Sequence, residues 1–280
     1  MSHLITGATG SIGRHIVDQL VALGEDVRAL TRKPTAANLP SQVTIFGGDL
    51  TSGDIQDGAF HGVKSLFLFP ADGDIKPFLD KVKAAGVERV ILLSSLAAAA
   101  EHARDIGSAS YLHHKAIEQI VLASDIPYTF LRPGNFANNL QFWAYSIKTA
   151  GAVYGPYPQS AQTLIHAADV ATVAVAALTT VGHIGATYAL TGPESLTQTE
   201  QLRTIGAEIG RELTYQIISP EQFRQSMSAF MPEDIITQLL NYWSDTVEQP
   251  DVVRPTVEQV TGKPARPLAQ WAADHRAMFM

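Results

Sequence analysis

The sequence predicts an α/β fold, a doubly wound parallel sheet with a smaller, mostly helical lobe toward the C-terminus. Three observations predict it. Short apolar runs alternate with longer amphipathic ones through the first half of the chain, as in a sheet with helices on both faces. Glycines cluster between the first apolar run and the first amphipathic one. Beyond Arg132 the alternation stops, and Pro133, Gly134, Gly151, Gly155, Pro156 and Pro158 punctuate the chain.

The strands are read at His3–Thr6, Val27–Leu30, Val43–Phe46, Ser65–Phe69, Val90–Leu93 and Tyr128–Leu131. Most are continuous apolar runs, which suits strands covered on both faces. Helices are expected to start near Ser11, Asp54, Asp74, Ala109 and Phe136, where apolar residues recur at three- and four-residue spacing. A helix at Asp169–Thr180, with Asp169 as its N-cap, and a strand at Thr187–Leu190 return the chain to the sheet. The expected division is therefore residues 1–132 with 165–191 in the sheet domain, and 133–164 with 192–280 in the smaller lobe. The aromatic residues Phe223, Phe230, Tyr242, Trp243 and Trp271 read chiefly as that lobe's core.

Composition narrows the function. A 46% hydrophobic, 17% charged chain without low-complexity tracts is an ordinary globular protein. Its net charge of −7 disfavours nucleic acid. With no cysteine, disulfides, thiolate metal sites and thiol nucleophiles are excluded. No secretion signal and no apolar stretch of about 18 residues is found, so a cytoplasmic location without a membrane partner is expected.

Directly after the first strand stands Gly7-Ala8-Thr9-Gly10-Ser11-Ile12-Gly13, followed by the amphipathic run Arg14–Leu23. A tight strand-to-helix turn needs glycine for unusual dihedrals, for close approach to phosphate and for helix-to-strand packing. The helix behind it turns unpaired N–H groups and its positive dipole end toward a diphosphate. This context makes the triplet a Rossmann dinucleotide loop rather than an ordinary turn. About 20 residues on, where an acidic residue would bind the ribose diol of NAD, the chain has Thr31, Arg32 and Lys33. Arg32 and Lys33 suit a 2′-phosphate, so NADP(H) is favoured over NAD(H); the alternative is a solvated basic turn before Pro34. Asp49, in Gly48-Asp49-Leu50 after the third strand, is a candidate acceptor for the adenine amine or a plain turn aspartate.

These residues resemble the NmrA-like family of atypical short-chain dehydrogenases, especially its quinone-reductase and triphenylmethane-reductase branch. The matching stretches are TGATGSIG at 6–13, LTRKP at 30–34, GDL at 48–50, IPYTFLRPGNFANN at 126–139, IHAADVA at 165–171 and YALTGP at 188–193, with a further likeness over 262–279. The resemblance implies a nicotinamide in the cleft between the lobes. It implies phosphate contacts at Gly7, Thr9, Gly10, Ser11, Ile12 and Gly13, and 2′-phosphate contacts at Arg32 and Lys33. Asp49, Leu50, Phe69 and Pro70 fall beside the adenosine half; Ser94, Ser95, Pro133, Gly134, Asn135 and Phe136 fall beside the nicotinamide.

Short-chain dehydrogenases use a Tyr-x-x-x-Lys pair for proton transfer, the lysine lowering the tyrosine pKa. Tyr111 and Lys115 have that spacing. In the wider family, however, the lysine stands four residues before a glutamate and about eighteen before the LRP arginine. Counting back from Glu118 and Arg132 lands on His114, with Lys115 about 100° of helix out of place. The resemblance therefore implies His114 at the lysine position, able to hydrogen-bond the nicotinamide ribose or to donate a proton. Tyr111 and Lys115 remain the alternative catalytic pair. His113 and His114 with Glu118 lack a third ligand at matching spacing, and no metal is expected.

The expected function is an NADPH-dependent oxidoreductase that reduces a quinone-like or other planar, electron-poor small molecule. Phe136, Asn139 and Trp143 are the candidate acceptor pocket. The rival is a non-catalytic NADP(H)-binding redox sensor of the NmrA type. Monomer and homodimer are both compatible with the sequence.

Overall fold

The computed structural model describes all 280 residues. Seven strands form the central sheet: β1 (Ser2–Thr6), β2 (Asp26–Thr31), β3 (Thr44–Gly47), β4 (Val63–Leu68), β5 (Arg89–Leu93), β6 (Tyr128–Pro133) and β9 (Thr187–Leu190). Their order is β3-β2-β1-β4-β5-β6-β9, every neighbour parallel. The chain runs outward from β1 through β2 to β3, then crosses back to place β4 on β1's other side. That reversal opens a crevice beyond the carboxyl ends of β1 and β4, where doubly wound sheets bind ligands.

Helices α1 (Ser11–Ala22), α2 (Lys76–Ala84), α3 (Ala109–Ala123), α4 (Ala144–Ala150) and α5 (Ala167–Thr179) follow in chain order. Ile16, Val17 and Leu20 of α1 and Val170, Val173 and Ala174 of α5 pack on one sheet face with Ile5, Phe67 and Ile91. Phe78, Leu79 and Val82 of α2 and Ile117 and Val121 of α3 cover the other face, against Leu4, Leu66 and Leu92. Alternate residues of the inner strands thus enter opposite cores, which is why those strands read as apolar runs.

Short strands β7 (Ala152–Gly155), β8 (Ala161–Gln162), β10 (Leu196–Thr197) and β11 (Thr214–Ile217) pair as β11-β7 and β10-β8. With α6 (Gln198–Ile209), α7 (Pro220–Met227), α8 (Glu233–Glu248), α9 (Thr256–Thr261) and α10 (Leu268–Asp274), they make up most of the remainder. A third cluster joins Leu140, Ile147, Leu202, Ile205, Trp271 and Phe279; a fourth joins Phe223, Ile236 and Leu240.

Four local expectations are corrected. No helix forms near Asp54: Gly53, Gly58 and Gly62 all take positive φ, and the segment is a chain of turns leading into β4. The segment after Phe136 begins as a 3-10 helix (Ala137–Trp143), and regular α-helix starts only at Ala144. The cap of α5 is His166, whose Nδ1 accepts from the Ala168 N–H at 3.0 Å. Asp169 lies inside that helix, 2% exposed, and pairs with Arg266, whose N–H donates to Oδ2 at 2.7 Å. Finally, Val257 of α9 belongs to the sheet's own core, so this helix packs on the sheet rather than with the neighbouring C-terminal elements. Of the aromatic residues read as core, Trp271 is fully buried and Phe223 is 8% exposed, whereas Phe230 is 78% exposed.

Candidate active site

The turn after β1 is shaped by its glycines. Gly7 has φ +63°, and a Cβ there would fall 2.9 Å from the Phe69 side chain. A Cβ on Gly13 would lie 2.1 Å from the Gly7 carbonyl oxygen, so only glycine lets α1 lie this close to the turn. Gly10 caps α1 with no side-chain hydrogen bond, leaving the first-turn N–H groups free for a ligand. Thr6 Oγ1 donates to the Phe67 carbonyl at 3.1 Å and accepts from the Phe69 N–H at 2.7 Å, tying the ends of β1 and β4 together beneath the crevice.

A cavity of about 480 Å³ fills that crevice; Gly7, Thr9, Gly10, Leu50, Phe69 and Pro70 are among its walls. It shares Arg32, Gly48 and Asp49 with an adjoining polar hollow of about 610 Å³ beside the loop after β3. Arg32 is exposed and has no hydrogen-bonded or ion-paired partner in the chain, so its guanidinium is available to an anion. Lys33 is also exposed but lines neither hollow; its backbone N–H donates to Thr31 Oγ1 at 3.2 Å. Asp49 Oδ1 accepts from the Thr51 N–H at 2.8 Å and the Thr51 hydroxyl at 2.7 Å, and these bonds hold its carboxyl below the usual range. Ile12 is 5% exposed, with its side chain in the core, and can offer a ligand only its backbone. On the other side of the turn, Thr9, Gly10 and Ser11 share a hollow of about 280 Å³ with Arg14 and Asn138. Arg14 has no ion-pair partner and was not singled out by the motif, whose spacing constrains only the glycines. A nicotinamide dinucleotide fits this donor set: an uncapped helix end, a cradle that a Cβ would fill and an unpaired guanidinium at the far end.

At the ends of β5 and β6 the expected residues separate. Ser94 is 3% exposed, and its hydroxyl donates to Glu118 Oε1 at 2.7 Å, facing inward. Ser95 accepts from the Ala97 N–H and lines a pocket of about 140 Å³ with Gly134, Asn135, Arg104 and Tyr242. The Tyr242 hydroxyl donates to Asp251, and Arg104 reaches Asp251 at 3.3 Å and stacks over the tyrosine ring. Burial, with the Asp251 charge, pushes the Tyr242 hydroxyl pKa well up. This Arg104-Tyr242-Asp251 cluster has no sequence signature, since its members are scattered from the β5–α3 loop to the stretch after α8. Pro133 is buried at the end of β6.

On α3, Lys115 Nζ lies 3.7 Å from Glu118 Oε2, and its ion pair is with that glutamate. Tyr111 lies a turn before Lys115, its N–H bonded to Ser108 Oγ, and its hydroxyl has no hydrogen-bond partner in the chain. His114 is mostly buried beside the His113 ring; burial, then the neighbouring imidazole, pushes its pKa down to about 4. Its Nδ1 is buried without a partner. His114 is therefore neutral near pH 7 and can act as a hydrogen-bonding group, not as an imidazolium acid.

A cavity of about 840 Å³ lies between the 3-10 segment and helices α6, α7 and α8, with Trp143, Phe223 and Trp243 in its walls. Asn139 and Trp143 are among the residues that line it. Phe136 is not: it packs on the sheet core and bridges to Ile165. Asn135 and Leu239 line both this cavity and the smaller Ser95 pocket, so the two spaces adjoin at the end of β6.

Residues 7–180 match the model of a family described as NAD(P)H-binding. The chain belongs to this family. A (4-alkanoyl-5-oxo-2,5-dihydrofuran-3-yl)methyl phosphate reductase of Streptomyces griseus is 34% identical, over 99% of this chain and 98% of its own length. An NAD(P)H azoreductase of Xenophilus azovorans is 32% identical over 99% and 98%. The solved NADPH complex of an Escherichia coli NADPH-dependent quinone oxidoreductase superposes with TM-score 0.79 at 25% identity, covering 97% of this chain and 99% of the other. The protein is thus an NAD(P)H-dependent oxidoreductase with a Rossmann-like sheet, as the resemblance to the NmrA-like dehydrogenases implied. No helix is long and apolar enough to cross a membrane.

Proposed function

We propose that this oxidoreductase uses NADPH in preference to NADH to reduce a planar, electron-poor acceptor of quinone type, bound in the Trp143–Trp243 cavity. The observation that carries the reading is the junction at Asn135, where an aromatic-walled cavity meets the pocket at the ends of β5 and β6. In this reading residues 1–132 with 165–191 hold the nucleotide, and 133–164 with most of 192–280 hold the acceptor.

The N–H groups of Ser11, Ile12 and Gly13 hold the diphosphate, with Thr9 and Gly10 shaping the turn. Arg32 reads the 2′-phosphate, and Lys33 adds only a distant charge. Phe69 and Pro70 flank the adenosine half beside Asp49 and Leu50. Ser95, Gly134 and Asn135 border the nicotinamide side, with His114 a neutral hydrogen-bonding group next to it. Bound NADPH supplies the hydride. The chain's part is positioning, holding the acceptor against the end of β6 between aromatic walls. Lys115 Nζ is turned toward Glu118, at 3.7 Å, and this reading gives the Tyr111/Lys115 pair no acid role. A quinone oxygen can take its proton from water.

The three relatives are named for a furanone carrying a methyl phosphate ester, an azo compound and a quinone; each name denotes a conjugated acceptor. NADPH oxidation measured with a panel of quinones and azo dyes tests the reading, with acceptor-dependent turnover expected. Saturable NADPH binding without turnover of any acceptor would instead support the redox-sensor alternative.

A further inference from the structure

The walls of the Trp143–Trp243 cavity carry no group charged at neutral pH. Of its 22 lining residues 14 are hydrophobic, and the polar ones are asparagines, glutamines and serines. Arg224, a cation on the adjacent α7, is bound to Glu233 and the Thr237 hydroxyl. The aromatic walls add apolar surface, which costs an anion its hydration and accepts neutral π-systems. Phe142 and Tyr145, 60% and 79% exposed, place further aromatic surface along the same cavity.

Its polar equipment is neutral and partly unspent. Gln198 and Gln201 stand one turn apart on α6, 3% and 0% exposed, and both line the cavity. Gln198 Oε1 accepts from the Tyr215 hydroxyl at 2.6 Å and Gln201 Nε2 donates to the Leu196 carbonyl at 2.8 Å, but Gln198 Nε2 and Gln201 Oε1 have no partner. An anionic head placed here would lose its hydration and gain no cation in return.

Building on the proposed acceptor role of this cavity, we propose that it selects uncharged planar acceptors and turns anionic ones such as sulfonates away, and so differs in selectivity from the Streptomyces relative named for a phosphate ester. A size-matched pair tests this in the full-length protein without cofactor: 2-(hydroxymethyl)anthraquinone and anthraquinone-2-sulfonate, titrated against the fluorescence of Trp143 and Trp243. The neutral compound should bind at least tenfold more tightly. Ser226→Lys, on an exposed lining position of α7, should narrow that ratio at least threefold by supplying the missing cation. Equal affinities in the parent protein, or a ratio unmoved by Ser226→Lys, would overturn the selectivity. Selective binding of the neutral compound, with no NADPH oxidation on it or on any quinone or azo dye of the panel, supports the selectivity while overturning the acceptor-reduction reading. NADPH-dependent reduction of both compounds at equal kcat/KM and equal affinity does the reverse.

Discussion

Glu118 of α3 and Arg132 of β6 form a two-pronged ion pair, Nε to Oε1 at 2.8 Å and Nη2 to Oε2 at 2.7 Å, with the glutamate 1% exposed. The pair sets the rotation of α3 against the sheet, and hence what His114 and Lys115 face. Removing the guanidinium leaves the buried carboxylate with only the Ser94 hydroxyl at 2.7 Å and the Lys115 ammonium at 3.7 Å. Arg132→Met is expected to cost about 3–5 kcal/mol in chemical denaturation, and Glu118→Gln, which keeps hydrogen-bonding atoms and removes the charge, clearly less. Equal losses would show that the charge is not what matters.

The glycine turn makes a graded prediction. Gly13→Ala puts a methyl group against the Gly7 carbonyl, whereas a Cβ on Gly10 would sit 3.3 Å from the same oxygen. Gly13→Ala should abolish NADPH binding in fluorescence titration and lower Tm. Gly10→Ala should fold normally and bind more weakly.

Arg32→Ala should raise the Kd for NADPH at least tenfold and leave that for NADH nearly unchanged, since a charge-assisted phosphate contact contributes ~1.5 to 3 kcal/mol. Lys33→Ala should have the smaller effect, because Lys33 lies outside both hollows. Equal losses for the two nucleotides would count against the 2′-phosphate role.

His114 predicts a pH dependence of stability. Its folded pKa, about 4, lies below the value of 6.5 it would have in an open chain. Between these values the unfolded state takes up a proton that the folded state refuses, so stability falls as pH drops through that window. The loss from pH 7 to pH 5 is about 2 kcal/mol for this one group. His114→Gln should reduce that slope in urea denaturation curves measured at the two pH values; an unchanged slope would refute the assignment.

Tyr111→Phe tests the absence of an assembled tyrosine–lysine acid. Quinone reduction should keep its kcat to within about threefold, whereas a proton-transfer role would cost about 100-fold or more.

The sequence made the sheet legible because its inner strands β1, β4, β5 and β6 are covered on both faces and read as apolar runs, while the edge strands β3 and β9 are only half-buried. It made the nucleotide turn legible because glycine is required there by φ at Gly7 and by packing at Gly13. The expected helix near Asp54 failed because apolar spacing says nothing of the positive φ that Gly53, Gly58 and Gly62 adopt. Features made by distant partners were out of reach: Asp169 meets Arg266 97 positions away, and Arg104 meets Asp251 147 positions away. Phe136 misled for a related reason. Its neighbours in sequence line the cavity, but the bridge to Ile165 turns it onto the sheet.

The late return of the chain to the sheet has a mechanical result. Val257 of α9 lies in the sheet core, Arg266 clamps Asp169 on α5, and Trp271 then enters the third cluster. The polypeptide is stitched back and forth, so neither core belongs to one uninterrupted stretch. Melting one should tear anchoring threads from the other, and calorimetry should record a single cooperative peak.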